Sequence, residues 1–169
     1  MKAVVRDVWH VLLLKAGLSA FPHSWRLLSG VALAYLATDV LGAWTYGYAP
    51  VPALQQSVMD AGLQVLLLAA MLGSKLLLSR LNRTLTAWLG AGVILNLAGL
   101  PLDLASRLLP QQSAGLWLAV PYLMLMAWSI MVLAWILRQA LDTDIITAFV
   151  AAIACVLATT QIIGSLFPL

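Results

Sequence analysis

The sequence contains no glutamate, a single cysteine and two histidines, and charged residues fill only 9% of its 169 positions. Each shortage removes a class of function. One cysteine, Cys155, allows no intrachain disulfide and leaves the redox compartment unspecified. Both histidines, His10 and His23, lie in the N-terminal region. There is therefore no His-x-x-x-His, no cysteine pair and no glutamate to complete a metal site. Axial haem ligation by paired intramembrane histidines is excluded by the same placement. No serine stands in Gly-x-Ser-x-Gly, and no glycine-rich phosphate loop is found. The expectation is a non-enzymatic protein with no catalytic residues, no metal site and no cofactor. The few basic residues sit mostly at helix ends, so a nucleic-acid partner is not expected.

Apolar length is what the chain has in abundance. Hydrophobic residues make up 63% of it, and the mean hydropathy is +1.01. Five apolar runs, 27–48, 58–79, 84–108, 114–137 and 145–167, can each cross a hydrocarbon core about 30 Å thick at about 1.5 Å per helical residue. The expected fold is all-α: a polytopic membrane protein with five transmembrane helices over 25–169, preceded by an interfacial amphipathic helix in a cytoplasmic segment, 1–24. No room is left for a separate soluble domain. Seven tryptophans suit such a protein, because indole rings favour the headgroup level.

Residues 1–21 read as the amphipathic helix. Lys2, Arg6 and His10 recur every four residues on one face, and Val5, Val8, Trp9 and Leu12 fall on another. Lys2, Arg6 and Lys15 are the candidate lipid-facing basic residues of a helix lying in the interface. As a signal peptide, the segment would have an apolar core of only Val8–Leu14, broken by His10 and closed by Lys15. No small-x-small cleavage site follows, so retention is expected. Phe21-Pro22-His23-Ser24 breaks the helix, and Ser24 can cap the next.

The connections are short. Ala49-Pro50-Val51-Pro52 is read as the end of the first span, Leu81-Asn82-Arg83-Thr84 as a tight turn, and Asp142-Thr143-Asp144 as the cap of the fifth. Gln-Gln-Ser occurs at 55–57 and again at 111–113, in what read as two loops on one side. Eight of the nine basic residues, all but Arg107, fall on one side of the five spans. That asymmetry predicts a cytoplasmic N-terminus and a C-terminus outside; the membrane expected is the bacterial cytoplasmic (inner) membrane. Trp25, Trp88 and Trp135 would mark the inner interface, and Trp44, Tyr46, Tyr48 and Trp117 the outer one.

Ionisable residues inside a membrane are functional candidates by default. Asp39 and Asn96 lie at similar depth in the first and third spans, and Gln64 reaches that level in the second. The three are expected to form one buried polar cluster. It would serve either as a proton or cation site or as interhelical glue, with Asp39 bonded to an amide. Asp103 and Arg107, spaced i, i+4, can pair near the outer end of the third span beside a kink at Pro101. In the last span Ala148, Ala151, Ala152 and Cys155 form a small-residue face suited to close helix packing, within the chain or with a partner. Gly92 and Gly99 of the third span are candidates for its receiving groove.

The layout resembles the Yip1 superfamily: a cytoplasmic N-terminal segment followed by five closely spaced spans. The residues that carry the resemblance are Leu12-Leu13-Leu14-Lys15-Ala16-Gly17-Leu18-Ser19-Ala20-Phe21-Pro22-His23-Ser24, Thr84-Leu85-Thr86-Ala87-Trp88-Leu89-Gly90-Ala91-Gly92, Trp128-Ser129 and Ile136-Leu137-Arg138-Gln139-Ala140-Leu141. The resemblance implies a five-span fold. The Asp-Leu-Tyr-Gly-Pro motif of the eukaryotic members is missing, so their contact with small GTPases is not carried over. The function expected is an accessory or scaffold subunit that binds membrane-protein partners, itself as a homo-oligomer, or membrane lipids. The alternative is a small transporter or channel subunit with a polar pathway at Asp39, Gln64 and Asn96.

Overall fold

The computed structural model describes residues 8–15, 17–18, 21–45, 47–108 and 111–166, apart from the side chains of 111–116. Among the described residues there is no strand. The five long helices are α1 (Trp25–Thr45), α2 (Pro50–Ser74), α3 (Leu81–Leu108), α4 (Gln111–Leu141) and α5 (Ile145–Leu166), with a 3-10 turn at Leu78–Arg80 leading into α3. All five are long and apolar enough to cross a membrane. Helix α3 packs on α1 and α4, and α5 packs on α4 and α2, which closes the bundle.

Several helix boundaries differ from the sequence expectation, and Leu81-Asn82-Arg83-Thr84, expected as a tight turn, opens α3, because α2 already ends at Ser74 and the turn falls at 75–80. Helix α2 begins at Pro50 rather than near 58, because a proline in the first helical turn loses no intrahelical bond and already has helical φ. The Pro50-Val51-Pro52 run thus starts a helix instead of ending one. The α1 end is made by Gly47 at φ 95, whose N–H bonds the Trp44 carbonyl while that of Tyr48 bonds Ala43. This is a Schellman cap. Neither Gln-Gln-Ser lies in a loop: 55–57 falls within α2 and 111–113 opens α4.

The same cap recurs without glycine. Leu76 (φ 59) closes α2, with Leu77 N–H bonded to Leu72 O and Leu76 N–H to Gly73 O. Asp142 (φ 48) closes α4 through Thr143 N–H to Arg138 O. Leu14 (φ 58) closes the helical segment at 8–12 through Lys15 N–H to His10 O. The N-terminal helix therefore stops near Leu12 and does not run to 21. The described part packs on the bundle. Val8, Val11, Leu12 and Phe21 are buried with Ala87 and Ala91 of α3 and Val132 and Ile136 of α4. Trp9, expected on the apolar face, is 53% exposed, whereas Val11 is 1% exposed. Lys2, Arg6 and Val5 lie outside the described residues, and Lys15 is exposed.

The main core fills the end of the bundle where α2 and α4 finish. Leu68 and Leu72 of α2, Leu137 and Ala140 of α4, and Ala148 and Ala152 of α5 are fully buried there. Beyond this core the helix ends are tied by cations. Lys75 Nζ donates to Leu141 O at 3.1 Å, and Arg80 Nη1 to Gln139 O and Ala140 O at 3.3 and 3.4 Å. Arg80 also pairs with Asp142 at 2.7 Å. These cations satisfy the last carbonyls of α4, where the helix dipole favours positive charge.

Asp144 caps α5. Its carboxylate accepts the Thr147 hydroxyl at 2.6 Å and the Thr147 N–H at 2.9 Å. These bonds hold its pKa below the ordinary value of 3.8, the hydroxyl contributing most. A carboxyl whose folded pKa is depressed stabilises the fold above its unfolded pKa and loses that contribution as pH falls through the folded one. Asp144→Ala should therefore lower the melting temperature at neutral pH, and the gap to wild type should close as pH drops below 3.8. Asp144→Asn keeps a good cap without the charge, so its gap should be smaller. A gap for Asp144→Ala that stays constant with pH would refute the assignment.

Candidate functional site

The polar residues of the membrane-spanning helices converge on four side chains from three helices. Tyr35 of α1 donates its hydroxyl to Asp60 Oδ2 of α2 at 2.6 Å. One turn along α2, Gln64 Nε2 donates to the same Oδ2 at 2.6 Å and to the Tyr35 oxygen at 2.8 Å. Trp88 Nε1 of α3 donates to Gln64 Oε1 at 2.7 Å. Both amide hydrogens, the phenol and the indole N–H are thus used within the network. Asp60 Oδ1 takes part in none of these bonds.

A close approach of backbone positions this network. A Cβ at Gly92 would lie 2.6 Å from Tyr35 Cε2 and 2.9 Å from Cδ2, so only glycine lets the ring cross α3 there. Gly92 and Gly99 do not receive the small face of α5. Gly92 accommodates Tyr35 from α1, and Gly99 faces Leu125 of α4. The α5 face is buried against other elements: Ala148, Ala152 and Cys155 belong to the main core with Ala151 partly buried beside it, and the Cys155 thiol meets Met71 Sδ of α2 at 3.6 Å. Trp88 is also not a headgroup anchor. Only 9% of it is exposed, because Gln64 supplies a hydrogen-bond partner that lets the indole enter the core.

The network forms one wall of a cavity of about 280 Å³, with Asn96, Ser129 and Cys155 on the other sides. A second space of about 400 Å³ between Tyr48, Gln56 and Ile163 shares Asp60, Thr159 and Thr160 with it. Together they make a recess reaching from Tyr48, after α1, to Asn96 within α3. Gln56 Oε1 and Asn96 Nδ2 are buried with no hydrogen-bond partner among the described residues. Buried amide groups of this kind are matched by ordered water or by a small polar ligand.

The three residues expected to cluster are divided. Gln64 and Asn96 reach the same cavity. Asp39 lines neither space and lies beside Ser57 of α2. Its amide partners were expected to be Asn96 and Gln64, but Gln64 is engaged elsewhere. Asp60, Tyr35 and Trp88 are the site residues that sequence reasoning missed. Asp103 is buried and accepts a hydrogen bond from Tyr122 of α4. Arg107 reaches the Gly47 turn, its Nη2 lying 3.4 Å from where a Cβ at Gly47 would be. Helix α3 continues through Pro101, and α4 likewise contains Pro121. Among the described residues no group of three His, Cys, Asp or Glu could hold a metal. No protein-family model, no curated protein and no solved structure matches this chain.

Proposed function

We propose that this protein is a non-enzymatic accessory or scaffold subunit of the bacterial cytoplasmic membrane, binding membrane-protein partners, itself or lipid. Its N-terminus lies on the cytoplasmic side and its C-terminus outside, as the basic asymmetry favours. The observation that carries the reading is the hydrogen-bonded network inside the bundle. The Tyr35–Asp60–Gln64–Trp88 network is spent on joining α1, α2 and α3. Polar side chains spent on one another in this way favour a structural tie between helices.

The second reading, a transporter or channel subunit, draws on the unpartnered Gln56 and Asn96 groups and on Asp60 at the junction of both spaces. Liposomes containing the purified protein and a pH-sensitive dye separate the two. The expected result is proton and cation leak no greater than in empty liposomes. Chemical cross-linking in native membranes should give a discrete stoichiometric complex. A flux carried by wild type and lost in Asp60→Asn, at unchanged melting temperature, would overturn the scaffold reading.

A further inference from the structure

We propose that the basic face of the bundle carries a binding site for the phosphate of an anionic phospholipid headgroup, formed by Arg83, Arg138 and Lys15. The inference deepens the lipid-binding part of the reading above and rests on it. Two clefts adjoin on this face. One, of about 380 Å³, lies between Arg80, Arg83, Gln139 and Asp142. The other, of about 550 Å³, lies between Lys15, Trp135, Arg138, Gln139, Asp142 and Thr143. Gln139 and Asp142 form the wall common to both.

This wall is fixed from three directions. Arg80 holds Asp142 at 2.7 Å and the Gln139 carbonyl at 3.3 Å. Gln139 Oε1 accepts the backbone N–H of Leu18 at 2.9 Å, which docks the N-terminal segment beside α4. The one acidic side chain of the clefts is thereby paired with Arg80. Arg83, Arg138 and Lys15 are exposed and contributed by three separate segments. Among the described residues they make no ion pair, and Arg138 rests over the Trp135 ring at 5.5 Å. Exposed cations lining two adjoining clefts at the end of apolar helices match a phosphodiester.

A lipid is favoured over a free phosphate ion by what continues from the site. Met124, Trp128, Met131, Trp135 and Arg138 recur at spacings of four, three, four and three residues, which places them on one face of α4. Met124, Trp128 and Met131 are 68%, 41% and 45% exposed. An acyl chain lying along this apolar stripe brings its headgroup to Arg138, with the Trp135 indole at the headgroup level.

The test uses the full-length protein in neutral detergent, titrated with fluorescent phosphatidylglycerol, with phosphatidylcholine, and separately with inorganic phosphate. Wild type should bind phosphatidylglycerol in preference to phosphatidylcholine. A Lys or Arg near a membrane surface contributes about fivefold, so Arg83→Gln with Arg138→Gln should weaken binding by roughly 25-fold. Arg26→Gln, a change at an exposed cation outside both clefts, should leave it unaltered. Melting temperatures in phosphatidylcholine nanodiscs report whether each variant is folded. As a measurement independent of any variant, wild type extracted from membranes should carry anionic phospholipid through purification, read by mass spectrometry. Equal affinity for both lipids, an equal loss in Arg26→Gln, or competition by millimolar inorganic phosphate would each overturn the proposal. Those results would leave the accessory role standing, because that role fails on liposome flux instead.

Discussion

Gly92→Val is expected to be the most damaging single substitution in the helical bundle. A Cβ at this position would lie 2.6 Å from Tyr35 Cε2, well inside van der Waals contact. The ring cannot swing aside freely, because its hydroxyl is held by Asp60 at 2.6 Å and by Gln64 at 2.8 Å. Overpacking of this kind costs about 1–3 kcal/mol, and displacing the phenol adds about 1 kcal/mol for each hydrogen bond lost. Thermal unfolding in detergent should show a clear fall in melting temperature. Gly92→Ala should fall in the same direction by less, since it adds the clashing Cβ without the branches. The informative control is Gly92→Val in a Tyr35→Ala background. With the ring removed, the valine should cost much less than it does in wild type. Additive losses in the double variant would place the damage somewhere other than the Gly92–Tyr35 contact.

The helices were legible in the sequence because apolar length is a one-dimensional signal that packing does not rearrange. All five expected spans correspond to long apolar helices. Boundaries were less legible where one residue type has two meanings. Pro50 and Pro52 can end a helix or open one, and here they open α2. That displacement hid the site. With a span starting near 58, Asp60 reads as an interfacial residue. With α2 starting at Pro50, Asp60 lies about 15 Å along the helix.

A signal for the site was present all the same. Gln56, Asp60 and Gln64 form one polar stripe at four-residue spacing, and Trp88, Gly92 and Asn96 form a matching one on α3. Residues four apart share a helix face, and all six have contacts or cavity positions that the structure joins. Asp39 was overweighted for the converse reason. Its depth along α1 is right, but depth leaves the rotation of the helix open. Rotation turns Tyr35 into the network and Asp39 toward Ser57. The closure of α2 on α5 and the burial of Val8 and Val11 against α3 and α4 are long-range packing outcomes, and no local pattern specifies them.

Substitutions at Asp60 should rank in an order that depends on what the network does. Asp60→Leu removes the acceptor for both the Tyr35 hydroxyl and one Gln64 hydrogen. Buried donors left without a partner cost about 1–3 kcal/mol each. Interhelical bonds in membranes tend toward the lower values, about 0.6 to 1.7 kcal/mol, because the separated helices find other partners. A loss of about 2–3 kcal/mol is the expected result for Asp60→Leu on these two scales. Asp60→Asn keeps a carbonyl oxygen that can accept both donors, so it should remain within about 1 kcal/mol of wild type. Tyr35→Phe deletes one donor but leaves the ring over Gly92, and it should fall between the two. As a structural tie, the network thus gives the order Asp60→Asn, Tyr35→Phe, Asp60→Leu in unfolding experiments, with assembly into any complex following the same order. As a charge-carrying site it would give a different pattern, in which Asp60→Asn is folded and inactive because an amide cannot exchange a proton in this role. Partner assembly and liposome flux measured on the same three variants decide between the patterns. An Asp60→Leu protein as stable as wild type would show that the Tyr35–Asp60–Gln64 bonds hold nothing together.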